Sequence, residues 1–470
     1  MSSGTRRKNG TFPIEFAAHK NSSVPYNVLS ILEGEHSVNG GIMKYLNREE
    51  KNTLRLVSDA TKKAVHIGEE YGYREIPITG PLSVWRRRFP KAKFANISGR
   101  RDLTDDDFKY LEGLEYLNME NCARYVRRRP TANGTRRRES KITDKAFIHL
   151  SSLKILNMSG CNARTITDKA FQYLVNVHTL YMIGCNQYIS GNAFEYLTEL
   201  KILDIEHCTN LGVNERKPPF EFLSNLESLE MGYCLNIKDK HFEPLKKLIH
   251  LNISSCRNLG INNSKGPFEH LSNLESLTMI NCSNIKDEHF EHLKNLKTLY
   301  MTNCDQETIT DNAFKNLKNL DLLDFASCNQ ETITNKAFEN FTNIRTIRMA
   351  GCNQNTITDT AFMYLHNVQI LQMQQCSQFT DDAFQNLANS QIISKNKLLI
   401  LNINNCRQAT ITGVTLTRTN FPKLEKLKIN GCNDITKINA EINFGVTKYD
   451  SSVTPQGGGY TRKRKYHRRH

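Results

Sequence analysis

Apolar residues recur along this chain in one phrase, apolar-x-x-apolar-x-apolar-x-x-Cys. Leu153, Leu156, Met158 and Cys161 spell it, as do Val177, Leu180, Met182 and Cys185, and Leu424, Leu427, Ile429 and Cys432. All thirteen cysteines end such a phrase, most of them 22–26 residues apart. A fixed period in that range is the signature of a repeat architecture. A degenerate copy comes first: Phe89 to Thr104 aligns with Phe421 to Thr436, with Ala92 and Ala95 in place of leucines and Arg100 in place of the cysteine. Weakened apolar positions suit a terminal repeat that faces solvent on one side. The alternation before each cysteine predicts a short strand with every second residue inward. The segment that follows, as in Ile142-Thr143-Asp144-Lys145-Ala146-Phe147 to Leu150, predicts a helix capped by Thr143 or Asp144 with one apolar face. One such coil cannot bury that face alone; stacked coils can.

The phrase resembles the leucine-rich repeat, specifically its cysteine-containing subtype. The resemblance implies an α/β solenoid: a horseshoe of about fourteen coils whose parallel sheet lines the concave side along an arc of about 65 Å. Residues 208–255 and 256–303 are near-duplicates, and 304–376 are three 24-residue units. Duplication favours a structural array over a catalytic pocket. The cysteine column reads as structural, because each coil supplies one cysteine, no C-x-x-C pair exists, and an odd number argues against a disulfide framework. His149, His241, His270 and His289 are scattered over the convex segments, and no P-loop, G-x-S-x-G or G-x-G-x-x-G occurs. No enzyme, cofactor or metal is therefore expected.

Ahead of the repeats, Ile42, Met43, Tyr45 and Leu46 make a short apolar face, and Leu54, Leu56, Val57, Ala60, Ala64 and Val65 recur at helical spacing. This segment resembles the F-box, most closely at Leu54-Arg55-Leu56-Val57-Ser58, with Val24-Pro25-Tyr26-Asn27-Val28-Leu29 as its start. Asn27 stands where an acid is usual, and residues 33–41 look like an insertion. The resemblance to the F-box/leucine-rich-repeat family implies a substrate-recognition adaptor of a cullin-type ubiquitin ligase. Pro25, Leu29, Ile42, Leu46, Leu54 and Val57 would dock the ligase's adaptor protein, and the repeats would hold a protein substrate. The other reading is a helical cap on a repeat scaffold with no ligase link. The expected organisation is a disordered basic arm (1–23), an F-box-like module (24–80), repeats (89–444, with a basic insertion at 124–140) and a disordered basic tail (445–470).

Charge changes the picture only locally. Arginines and lysines in the two arms and the insertion account for the net charge of +15 and leave the repeats nearly neutral. The insertion carries Arg127, Arg128, Arg129, Arg136, Arg137 and Arg138, and the tail carries Arg462, Lys463, Arg464 and Lys465. Such runs fit a nuclear address or phosphate contacts, so nucleic acid is a less favoured partner than protein. No stretch approaches 18 apolar residues and the N-terminus lacks an apolar signal core, so an intracellular monomer away from any membrane is expected, in the host cytoplasm if the source is viral. The 49 asparagines suggest an AT-rich genome, such as that of a giant amoeba virus or a protist. On the concave column, Asp204, Glu206 and Glu230 form an acidic cluster flanked by Tyr181 and Tyr300, with Asp324 and Arg348 further on. This cluster is the expected seat of a basic peptide.

Overall fold

The computed structural model describes residues 76–123, 140–185, 188–213, 218–261, 266–392 and 396–444. In every copy of the phrase, three residues form a strand: β1 Phe94–Asn96, β2 Tyr116–Asn118, β3 Ile155–Asn157, β4 Thr179–Tyr181, β5 Ile202–Asp204, β6 Ser228–Glu230, β7 His250–Asn252, β8 Ser276–Thr278, β9 Thr298–Tyr300, β10 Leu322–Asp324, β11 Thr346–Arg348, β12 Ile370–Gln372, β13 Ile400–Asn402 and β14 Lys426–Lys428. They make one parallel sheet in which spatial order follows chain order. Pairing is without slip, so equivalent residues lie side by side: Leu156 beside Leu180, Asn157 beside Tyr181. The middle residue of each strand is buried from Ala95 to Leu401, and only the last, Leu427, is partly open.

The convex segments differ from expectation. Most are short 3-10 segments of one or two turns, such as Asp144–Leu150, Asp239–Phe242 and Asp359–Tyr364. Among the described residues, apart from the four-residue α2 (Asn335–Phe338), α-helix is confined to α1 (Leu82–Arg88), α3 (Asp381–Ser390) and α4 (Asp434–Phe444). The reason is width. Strands repeat about every 4.8 Å, whereas an α-helix with its side chains is about 10 Å across, so a helix on every coil would splay the convex side. A narrower 3-10 turn still aims Ala146, Phe147 and Leu150 inward. Phe108, Phe147, Phe171, Phe194 and their counterparts form a buried column behind the sheet.

Three polar columns tie each coil to the one before. Every cysteine thiol donates to the carbonyl of the preceding coil's third apolar residue, at 2.9–3.3 Å, from Cys122 on Ile97 to Cys432 on Ile403. The Ile-Thr-Asp motif divides its labour. Thr143 caps its own turn by accepting from the Lys145 N–H, while Asp144 receives both the N–H and the hydroxyl of Thr167 in the next coil. The pattern recurs at Asp168–Ser190, Asp287–Thr310, Asp311–Thr334 and Asp359–Thr380. Where an asparagine precedes the first apolar residue, as at Asn225, Asn273, Asn295, Asn319 and Asn343, it donates its amide to a carbonyl of the preceding coil. Asparagine abundance is thus in good part a requirement of the fold. His241 and His289 are structural as well: each is buried and accepts, through Nδ1, the backbone N–H that opens its turn. Burial, with Lys240 and Lys238 nearby, pushes His241 down to about 4 and so keeps it neutral.

Among the described residues the first coil has no predecessor, and its departures from the phrase answer that. The Ile78 N–H donates to the Asn96 carbonyl and so straps the open edge of β1. Arg100, in the cysteine's place, donates to the carbonyls of Ile78 (2.9 Å) and Gly80 (2.8 Å) and pairs with Asp102. Arg86 on α1 donates to the carbonyls of Tyr110 and Glu112, 2.7 Å each. At the other end α4 covers the last coil, with Arg418 over the Phe444 ring. No described helix is long and apolar enough to cross a membrane.

All thirteen thiols are free and buried, and burial raises their pKa, to about 11 for Cys161 and about 12 for Cys208. A buried thiol that stays protonated does not react. Native protein is therefore expected to resist iodoacetamide at all thirteen positions and to label at all of them once denatured. Intact mass would show a two-peak distribution, whereas stepwise labelling would mean that coils open singly.

Candidate functional site

Two residues of each strand, the first and the third, and the residue two places beyond face the concave side. The third position has a structural use that the sequence did not disclose. Asn96, Asn118, Asn157, Asn252 and Asn402 each accept, through Oδ1, the backbone N–H two residues on, which bends the chain out of the strand. Asp204 and Asp324 occupy the same place and make the same bond, to Glu206 at 3.1 Å and Ala326 at 3.3 Å. That bond needs an oxygen, not a charge, and the strands ending in Tyr181, Glu230 and Tyr300 bend without it, so the ionisable group at these two positions is surplus to the fold.

The two surplus charges meet different fates. Asp324 has company: Arg348 lies beside it in register with a 3.6 Å ion pair, the Thr302 hydroxyl donates to it at 3.1 Å, and the Arg348 guanidinium sits 6.0 Å from the centre of the Tyr300 ring. Tyr300, Asp324 and Arg348 form one compensated unit on β9–β11. Asp204 lies between Tyr181 and Glu230 in register, with Glu206 two residues on. Burial, and then the charges of Glu230 and Glu206, push Asp204 up to about 7. Burial raises Glu230 too, opposed by the Asn252 side chain, and raises the Tyr181 phenol with help from Asp204. Among the described residues no lysine or arginine forms an ion pair with Asp204, Glu206 or Glu230.

One expectation is corrected. Tyr181 borders the acidic cluster, but Tyr300 does not: it is four strands from Asp204, about 19 Å at the strand spacing. Sequence spacing had run the two units together. The proposed adaptor-docking residues Pro25, Leu29, Ile42, Leu46, Leu54 and Val57 lie outside the described residues. So do the basic residues Arg127, Arg128, Arg129, Arg136, Arg137, Arg138, Arg462, Lys463, Arg464 and Lys465.

A pair that sequence reading passed over adjoins the acidic cluster. His207 and Tyr233 stack with ring centroids 4.4 Å apart and planes 18° from parallel. Both precede a cysteine, where the chain turns through a left-handed backbone in all fourteen coils, and glycine or asparagine holds nine of those positions. Glu206 folds over Gly232 next door: a Cβ there would come within 2.9 Å of its Oε1.

The family model for the BspA type leucine rich repeat region matches in six copies, over residues 137–248, 216–321 and 261–391, together more than half of the chain. The chain belongs to the BspA-type leucine-rich-repeat family. The match begins after the segment 24–80 and so does not bear on its F-box resemblance. No curated protein matches the chain. Among solved structures, an internalin (InlF) from Listeria monocytogenes is similar at 18% identity over 75% of this chain and 90% of that one, with a TM-score of 0.49. A chain of the Drosophila Toll–Spätzle complex is similar at 15% identity over 73% of this chain and 46% of that one, with a TM-score of 0.47. A BspA-type solenoid is a scaffold for protein–protein contact rather than an enzyme. Among the described residues no three His, Cys, Asp or Glu side chains converge where they could hold a metal.

The surplus charge has a measurable cost. Because the folded pKa of Asp204 is raised above its unfolded value, its ionisation destabilises the fold as pH rises from about 4 through about 7. Asp204→Asn keeps the turn and removes the repulsion. It is expected to raise stability by about 1–2 kcal/mol at pH 8 and by progressively less toward pH 4, read from thermal melts across that range. A loss of stability at pH 8 would show that the carboxylate is needed by the fold.

Proposed function

We propose that this chain is a non-catalytic recognition scaffold that holds a protein partner across its concave sheet, with a basic segment of the partner on Asp204, Glu206 and Glu230 beside Tyr181. The observation that carries this reading is the uncompensated acidic cluster on a face otherwise built to order. The equivalent residue Asp324, five strands away, is matched with Arg348, and asparagine would close the Asp204 turn without charge. Like charges held close in a partly buried setting favour the arrival of a cation, which lowers the cost of keeping them there. Tyr300, Asp324 and Arg348 offer a second patch on β9–β11 with both signs present, suited to fixing the partner's direction along the sheet.

A second reading adds a destination for that partner. The resemblance of the segment 24–80 to the F-box, with Leu54-Arg55-Leu56-Val57-Ser58 as its best-matched stretch, supports a role as the substrate-recognition subunit of a cullin-type ubiquitin ligase. The chain would then raise the concentration of the substrate beside the ubiquitin-carrying enzyme without doing chemistry itself. The scaffold reading needs only the repeats and is preferred.

Two measurements test these readings. An eight-residue peptide of alternating glycine and lysine, titrated calorimetrically into the intact chain at 0.15 M salt, is expected to bind. Its affinity should rise with pH through about 7, as Asp204 gives up its proton, and fall about tenfold in an Asp204→Asn, Glu230→Gln double variant. Equal affinity for wild type and variant would remove the acidic face from the reading. For the ligase link, purified cullin adaptor is expected to be retained by the intact chain and lost with Leu46→Asp and Leu54→Asp together, the repeats staying folded by circular dichroism. No retention by the intact chain would leave the scaffold alone.

A further inference from the structure

The bend before each cysteine, and before Arg100 in the first coil, is made fourteen times with a left-handed residue, and twelve coils make it without an aromatic ring. That column holds Gly160 and Gly184 on one side of His207 and Tyr233, and Ser255 and Asn281 on the other. A side chain bearing a Cβ is strained there, at about 1 kcal/mol or more per residue relative to glycine. The rings repay little of this by burial: His207 is exposed and Tyr233 keeps 44% of its surface open. Leu235, two residues on, is also open. One face of Tyr233 is taken by His207, and on its other side the column presents only Ser255, a small side chain that is itself buried. The Glu206 carboxylate lies over Gly232, the residue before Tyr233.

We infer that Tyr233, backed by His207 and bordered by Glu206, is an arginine-selecting platform at the rim of the acidic face, and that the partner's basic segment places an arginine there. This rests on the reading of that face as the seat of a basic segment and adds its chemistry. A guanidinium is flat and charged, so it can lie on an aromatic face while its edge donates to a carboxylate; an ammonium is a compact, strongly hydrated charge that gains less from the ring. The carboxylates alone would accept lysine and arginine with little distinction. An open aromatic face one residue from the Gly232 that Glu206 covers separates the two, and Leu235 offers the aliphatic part of the arginine an apolar surface.

The test uses the full chain and two eight-residue peptides, alternating glycine with arginine or with lysine, titrated at 0.15 M salt. Wild type is expected to bind the arginine peptide about fivefold or more tightly than the lysine peptide. Tyr233→Phe should keep that preference. Tyr233→Gly should bring the ratio close to one with the lysine affinity unchanged, and its melting temperature should be equal to or above that of wild type, because glycine suits the backbone there. Equal binding of both peptides by wild type would overturn the platform and leave the acidic face standing. Failure of both to bind would overturn the two together. A Tyr233→Gly variant that melts lower yet keeps the preference would assign the stack to folding and overturn the inference.

Discussion

Everything in this solenoid follows from the distance between one strand and the next. Parallel pairing fixes it at about 4.8 Å, and whatever a coil carries must fit within that thickness or find a partner on the coil beside it. Apolar residues meet the condition by stacking on their equivalents, as Leu156 does on Leu180. Polar groups meet it by bonding forward or back. A thiol reaches the preceding coil's carbonyl, an aspartate at the head of a turn takes the next coil's threonine, and an asparagine amide caps the carbonyl behind it. Each bond is worth about 1 kcal/mol, and leaving its buried partner unmet would cost more. Repetition makes the sum large and makes the coils depend on one another.

The same spacing explains the irregular parts. It selects 3-10 turns over α-helices on the convex side, and wider helices appear mainly toward the ends, where crowding is relieved: α1 before the first coil, α3 in the long coil between Cys376 and Cys406, and α4 after the last. It also leaves the first coil without a coil behind it. Arg100 is the response, a long side chain that reaches the Ile78–Gly80 strap from a position where later coils need only a thiol.

How much of this the sequence disclosed depended on whether a residue's role lay within one period or between periods. Strand positions, inward leucines, the buried cysteine column and the parallel sheet were legible, because burial repeats with the chain and the cysteines mark its phase. The role of Asp144 was not, because its partner Thr167 is 23 residues away and a capping role for Asp144 itself was equally consistent with the local pattern. Asp204 was singled out for its charge, but its turn-closing bond emerged only beside Asn157 and Asn252. Tyr300 shares the column of Asp204 but not its neighbourhood, because four strands separate them and a column position alone does not give that distance. For His207 and Tyr233 the sequence does carry a signal: they are aromatic residues in a column otherwise of glycine, asparagine, serine and one glutamine.

That last case shows where to look for function in a repeat protein. Each column states what the fold requires at a position, fourteen times over, and a residue that meets the requirement carries no further information. Asn402 and Asn96 only bend the chain. A residue that exceeds the requirement at a cost does carry information, because folding alone gives no reason for it. Asp204 exceeds it by a charge that burial resists, and Tyr233 exceeds it by a ring on a backbone suited to glycine. Both excesses fall on β5 and β6 and the bends that follow them, whereas the matched pair Asp324 and Arg348 shows that the same sheet can accommodate a charge by supplying its partner from the next strand. Two independent departures, one electrostatic and one conformational, converge on adjacent coils, and that convergence supports the proposed recognition surface more firmly than either does alone.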